Sequence, residues 1–287
     1  MSNSSMTLTL TDGTTTVQAS TGGREGMIIA KDKLKGLWDS PALKTQLTEK
    51  QTGDGAHTPG DILYSARTVT IPFALIPGPE ETVEQWRIRL GRLLHQTATL
   101  AIDDQDEHTY LTGHLTVEYS GTHSSLYDTG TITLTCPDPR RLSQQAQTVT
   151  LWPTRGLTGG ITYQTGLAYP ISYGQAATDQ RNIGILSNHG NSPANPLIII
   201  RNMADGAQIN WIDTDNRTHT LTYAAWTGNS PAIIDCHDRT ARTATTDETS
   251  HLSSRDFPTI PPGATIRLEL ISPGAGYVTV SVHDIYM

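Results

Sequence analysis

Apolar residues in this chain recur at every second position in run after run, and at spacings of three and four in one place only. In TIRLEL (265–270), Ile266, Leu268 and Leu270 alternate with Thr265, Arg267 and Glu269, and in YVTVSV (277–282) Val278, Val280 and Val282 share one face. Such alternation gives an extended strand one apolar side and one wet side, whereas a helix needs the wider period. A chain patterned this way folds into sheets, and each sheet must cover its apolar face.

The pattern begins at once. TLTLTDGTTTVQ (7–18) sets Leu8 and Leu10 among threonines, and Asp12-Gly13 between two β-prone runs predicts a hairpin. RTVTIPFALIP (67–77) puts Val69, Ile71 and Phe73 on one face, while Pro72, which cannot donate to a ladder, predicts an edge or a bulge. The exception follows in GPEETVEQWRIRLGRLLHQ (78–96). Val83, Trp86, Leu90, Leu93 and Leu94 form one stripe, with Glu80, Glu81 and Glu84 early and Arg87, Arg89 and Arg92 late, as the helix dipole prefers. One helix is predicted over 79–96, starting near Pro79. Period two returns at 98–102, at Leu115, Val117 and Tyr119, and at Ile132 and Leu134, before CPDPRR (136–141) interrupts it with two prolines.

At 287 residues the chain exceeds the usual size of one core, so two domains are expected, 1–145 and 146–287. Residues 152–170 read as a linker or crossing strand. From Pro196 onward LIIIRN, INWID, THTLTY, PAIIDCHDR, IRLELI and YVTVSVHDIY read as an antiparallel sandwich. The expected fold is mainly β: an N-terminal β-sandwich or split barrel carrying one α-helix, then a C-terminal β-sandwich of the galectin-like or carbohydrate-module jelly-roll kind.

The net charge of −8 offers no footprint for nucleic acid phosphates and no basic patch for anionic membranes. The first residues lack the features of a secretory signal and no run of about 18 apolar residues occurs, so a soluble protein made in the cytoplasm is expected. All five lysines fall between Lys31 and Lys50. They belong to an irregular arm, 31–61, too long for an ordinary loop. Its Leu37, Trp38 and Leu43, with Leu63 and Tyr64 just beyond, are expected to meet a neighbouring chain.

Catalytic signatures are missing: no G-x-S-x-G, H-E-x-x-H, C-x-x-C or phosphate-loop motif occurs. Asp235, Cys236, His237 and Asp238 stand side by side, but neighbours on extended chain point to opposite faces, so a turn is favoured over a metal site or an activated thiol. Cys136 and Cys236 are read as unpaired, partly buried thiols. Asp103, Asp104, Asp106 and Glu107 around His108 read as a solvated acidic hairpin tip in preference to a calcium loop. Trp211, Tyr223 and Trp226 either fill the sandwich core or form a platform for sugar rings, with the core favoured.

Taken together, the strand RTVTIPF followed by the helix PEETVEQWRIRL, the exit CPDPRR and then a sandwich resemble the distal tail (Dit-like) protein family of long-tailed bacteriophages. NHGNSPANPLIIIRN (188–202) is similar to that family's entry into the sandwich. AIIDCHDRTA is similar to its Ile-Asp strand end, matched by Asp235 with Arg239 after it, and IPPGATIRLEL to its late turn, matched by Pro262-Gly263. The lysine-rich arm is a departure from the pattern. The resemblance implies a virion structural protein without catalytic residues, metal or cofactor. It implies a ring, a hexamer, joining the tail tube to the tail tip or baseplate, with tail tube and tail-tip proteins as partners. The amino-terminal domains would form the ring, and the sandwiches would project from it and in some members attach receptor-binding proteins or host surface glycan. The alternative weighed beside it is a carbohydrate-binding or receptor-attachment tail protein using the C-terminal sandwich.

Overall fold

The computed structural model describes residues 5–58, 60, 62–79, 81–105, 107–120, 126–153, 181–224 and 230–287. The chain divides into two compact units, one of residues 1–144 with 286–287 and one of residues 145–285. Both are built of strands, with one α-helix among the described residues. The linker strand expected within 152–170 falls outside the described residues from 154 onward.

The first unit holds β1 (Thr7–Thr11), β2 (Thr16–Thr21), β3 (Gly26–Ile29), β4 (Arg67–Ile76), α1 (Val83–Arg92), β5 (Ala98–Asp104), β6 (Glu107–Tyr119), β7 (Asp128–Cys136) and the start of β8 (Arg141–Leu151). The hairpin predicted at Asp12-Gly13 is present: the Asp12 carboxylate accepts from the backbone N–H of Thr14 and Thr15, and Thr11 faces Thr16 across the turn. The sheet runs β6-β5-β1-β2-β3-β4-β7, and β7 pairs again with β6, so the seven strands close into a barrel. The first unit is a closed barrel, where the sequence suggests a sandwich or split barrel. Closure removes the free edges that an open sheet of this length would expose. The alternation seen in the sequence decides what faces inward: Leu8, Leu10, Val69, Ile71, Phe73, Leu100, Ile102, Ile132 and Leu134 are all buried in one core.

Register defines two rims. At one lie Thr7 opposite Asp103, Asp104 opposite Glu107, and Arg67 opposite Cys136. At the other lie Thr11 opposite Thr99, Gly26 opposite Ile76, and Leu75 opposite Asp128. Helix α1 connects strands at this second rim. It begins at Val83 rather than at Pro79, because Thr82 caps it: its hydroxyl accepts from the Gln85 N–H while the Gln85 side chain accepts from the Thr82 N–H. Val83, Trp86, Leu90 and Leu93 are buried as the stripe predicts, but Leu94 is largely exposed. The buried Asp128 accepts from Arg87, which fixes the helix to the rim.

Strand β4 is not an edge. It pairs with β7 along its length and with β3 from Phe73 onward, and the next partner on the β3 side is Lys35 at Thr70. Thr70 donates its N–H to Lys35, so by the two-residue period the nitrogen of Pro72 points into the gap between the two partners. A missing donor costs nothing there.

The second unit comprises the rest of β8, then β9 (Ile183–Ser187), β10 (Leu197–Arg201), β11 (Ala207–Ile212), β12 (Thr218–Tyr223), β13 (Ala232–Asp235), β14 (Thr240–Arg242), β15 (Leu252–Arg255), β16 (Thr265–Leu270) and β17 (Tyr277–Tyr286). They form two sheets, β14-β13-β10-β17-β8 and β15-β12-β11-β16-β9. Gly184 of β9 lies so close to Val149 and Leu151 of β8 that an added Cβ would come within 2.9 Å of both side chains. Ile198, Ile234, Val278 and Val280 on one sheet, and Ile209, Leu221, Ile266 and Leu268 on the other, are buried.

Candidate assembly interface

The arm of residues 31–66 leaves the barrel at the Arg67 rim, and its first part belongs to the core. Leu34 and Leu37 are buried among the barrel residues. Leu37 is 0% exposed, so it cannot be the contact residue that its sequence position suggests: its side chain is already covered within its own unit. Gly36 makes this possible. Its φ is +75°, and a Cβ there would lie 1.9 Å from the Thr68 carbonyl oxygen, so only glycine lets the arm lie against β4.

Arg67 then ties the arm down. Its guanidinium donates to the carbonyls of Pro139 (2.6 Å), Gly36 (2.8 Å), Leu37 (3.1 Å) and Asp39 (2.7 Å). Burial lowers its pKa, but from so high a starting value that the group stays charged, and each of these bonds is charge-assisted. Lys31 pairs with Asp104 and lies 5.7 Å over the Trp38 ring, whose Nε1 donates to Glu107 at 2.9 Å. Glu107 also pairs with Arg141, and Asp103 with His108 at 2.8 Å. The acidic tip is therefore only partly a solvated turn: Asp104 faces Lys31, and Glu107 faces Arg141 and the arm's indole, while Asp103 and His108 remain open to solvent. Asp106 lies outside the described residues.

Beyond Asp39 the described residues of the arm form a loosely paired ribbon, held by isolated bridges and not by a strand ladder. Leu43 bridges Tyr64, Lys44 donates to the Leu63 carbonyl at 2.8 Å, and Ser65 to that of Ala42 at 2.8 Å. Nearer the tip Glu49 bridges Ala56, and the chain turns through Gly53 and Gly55, both at positive φ. The ribbon carries Leu43 (60% exposed), Leu47 (60%), Ile62 (62%) and Leu63 (56%), with Trp38 at 39% near its root and Tyr64 half-buried. Such a ribbon has no core of its own, so these apolar side chains are left uncovered within the chain. Leu47 and Ile62 were not singled out from sequence. The signal that finds them is two apolar runs, ALKTQL and ILY, flanking the turn TGDG.

The other singled-out residues are occupied within their own unit. Asp235 accepts from the N–H groups of His237 (2.9 Å) and Asp238 (3.2 Å), closing the turn into β14 with Arg239 at φ 57°. Burial pushes the adjacent Cys236 thiol well up, with Asp235 adding to the effect. Trp211 is 7% exposed, its Nε1 donates to the Asp256 carbonyl at 2.8 Å, and His219 stacks on its ring at 4.2 Å. His219 is held in turn by Asp213 at 3.0 Å, a hydrogen bond that, with the Arg217 N–H, lowers the Asp213 pKa. Tyr223 is 1% exposed. Neither ring presents a face to a sugar; both are packing residues. Trp226 lies outside the described residues.

No protein-family model and no curated protein matches the chain. Among solved structures it shares its fold with a phage hub protein and with chains of a phage baseplate. The Dit protein of phage SPP1, a hub of the adsorption apparatus in phages infecting Gram-positive bacteria, is 14% identical, with a TM-score of 0.56 over 91% of this chain and 94% of that one. A chain of the phage P2 baseplate in its activated conformation with calcium is 13% identical, with a TM-score of 0.53 over 98% of each chain. A chain of the same baseplate with strontium gives 0.51 at 12% identity.

Proposed function

We propose that the protein is a structural component of a phage tail tip, a distal tail protein whose first unit builds a ring of like copies between the tail tube and the baseplate. The observation that carries this reading is the extent of the likeness: it covers 91% of this chain against the SPP1 Dit protein and 98% against the P2 baseplate chain, so it is not confined to one common module. The exposed ribbon of the first unit supplies what a ring needs, an apolar surface without a partner in its own chain. In this reading the second unit is a galectin-like sandwich projecting from the ring, the neighbours are the tail tube and tail-tip proteins, and assembly precedes release from the host cytoplasm. Catalysis has no part in it. The charge suits a conduit: six copies carry about −48, six times −8, and an acidic lumen repels DNA phosphates and lets a genome pass without sticking.

Electron microscopy of the purified protein tests the proposal. Sixfold annular particles with an open centre are expected, and a field of separate single chains at micromolar concentration contradicts it.

A further inference from the structure

One pocket of the second unit gathers more positive charge than its own chain uses. We infer that it binds an anionic group, a phosphate or a carboxylate, carried on a sugar or a similar small polyol. Such a site belongs to the second unit alone and does not depend on the ring.

The pocket has a volume of about 260 Å³ and draws on both sheets. Trp211 and His219 come from β11 and β12, Arg239 from the turn between β13 and β14, and Arg255, Asp256 and Thr259 from the end of β15 and the segment after it. The Trp211 ring is buried under His219, so it offers no stacking face, and recognition falls to the charged and hydroxyl groups. Arg255 donates to the carbonyls of Leu252 (3.1 Å) and Thr249 (3.3 Å), which hold the guanidinium in place without neutralising it. Arg239 is exposed, and its guanidinium has no hydrogen bond or ion pair among the described residues. The Thr259 hydroxyl accepts from Asn195 at 3.0 Å, which leaves its own O–H to donate. The Asp256 side chain, 61% exposed and 3.8 Å from His219, can accept from the hydroxyls of a ligand. Two guanidiniums against one carboxylate leave the lining positive in a protein whose formal charge is −8.

The backbone points the same way independently. Arg239 sits at φ 57°, a left-handed conformation that glycine takes freely and that costs a long side chain free energy. Asn202 and Asn216 adopt it with a residue type that tolerates it. The hairpin does not need arginine at this place, because Asp235 closes it through the N–H groups of His237 and Asp238. What the arginine adds is a cation at the pocket beside that of Arg255. Guanidinium groups are well matched to the oxygens of a phosphate or a carboxylate, whereas an uncharged sugar would leave both cations unpaired.

Isothermal titration calorimetry of the full chain with glucose 6-phosphate, glucuronate and glucose tests this. At least one of the two charged sugars is expected to saturate a single site per chain, and the tighter of them identifies the anionic group. Glucose is expected to give no saturable heat. Arg239→Gly is expected to weaken the binding at least about tenfold while its unfolding midpoint stays level or rises, because glycine relieves the backbone. An arginine with a merely structural role would lower the midpoint and leave the affinity unchanged. Binding by neither charged sugar, equal binding of glucose, or wild-type affinity in Arg239→Gly overturns the proposal. Should Arg239→Gly lower the midpoint, Arg255→Gln decides, and wild-type affinity in that variant is equally contrary. A protein that stays a single chain yet binds glucose 6-phosphate would keep this site and remove the ring.

Discussion

Both cysteines are buried, and burial raises the pKa of each thiol. For Cys136 the rise is to about 11, opposed only in part by the nearby Arg67 guanidinium. Below about pH 9 both the folded and unfolded chains keep this proton. Between about pH 9 and 11 the unfolded chain loses it and the folded chain does not, so stability falls as the pH rises through that window. Tyr223, raised by burial to about 12, extends the fall beyond pH 10 in the second unit. The urea midpoint is therefore expected to drop above pH 9, and to drop less in Cys136→Ala. In the native protein neither thiol is expected to react with a disulfide reagent at pH 8, whereas both react in denaturant. Rapid labelling of the folded protein contradicts this account of the thiols. At the same scale, sequence placed Leu37, Trp38 and Leu43 together because all three are apolar in a polar stretch. What separates Leu37 from its neighbours is the approach of Gly36 to Thr68, a pairing across thirty-two positions that no local pattern reveals.

Among the elements, α1 owes its start to the reciprocal bonds between Thr82 and Gln85. Thr82→Ala removes the cap and is expected to cost about 1 kcal/mol, measurable as a lower midpoint of chemical unfolding for the first unit. Thr82→Ser should retain most of it. The helix itself was legible because its apolar stripe and its charge gradient agree, yet its first residue was not, since Pro79 and Thr82 both carry helix-start signals. Strand β4 was legible in the same way from Val69, Ile71 and Phe73. Its rank in the sheet was not, because the sequence of β4 does not show that β3 stops short of Pro72. The ribbon was the hardest element to read. Its turn carries Asp54-Gly55, but the residues on either side do not alternate as strands do, and its position depends on bonds from Arg67 and Lys31 to residues 28 to 73 positions away.

At the scale of the molecule, alternation specified a β protein of two sandwich-like or barrel-like parts but left open how the strands join. Closure of the first unit depends on β6 pairing with both β5 and β7, a long-range choice that thirteen residues of alternating sequence permit and do not announce. The surface is equally ambiguous from sequence: Trp211 and Tyr223 suit a sugar platform or a core, and only the burial of their rings decides for the core. The exposed apolar residues of the ribbon, Leu43, Leu47, Ile62 and Leu63, are what the proposed ring of like copies would have to cover. A direct mass measurement of the purified protein tests that claim most simply. Six copies of the 31.1 kDa chain, about 187 kDa, are the expected species at physiological salt, and a single 31.1 kDa species across the micromolar range would contradict it.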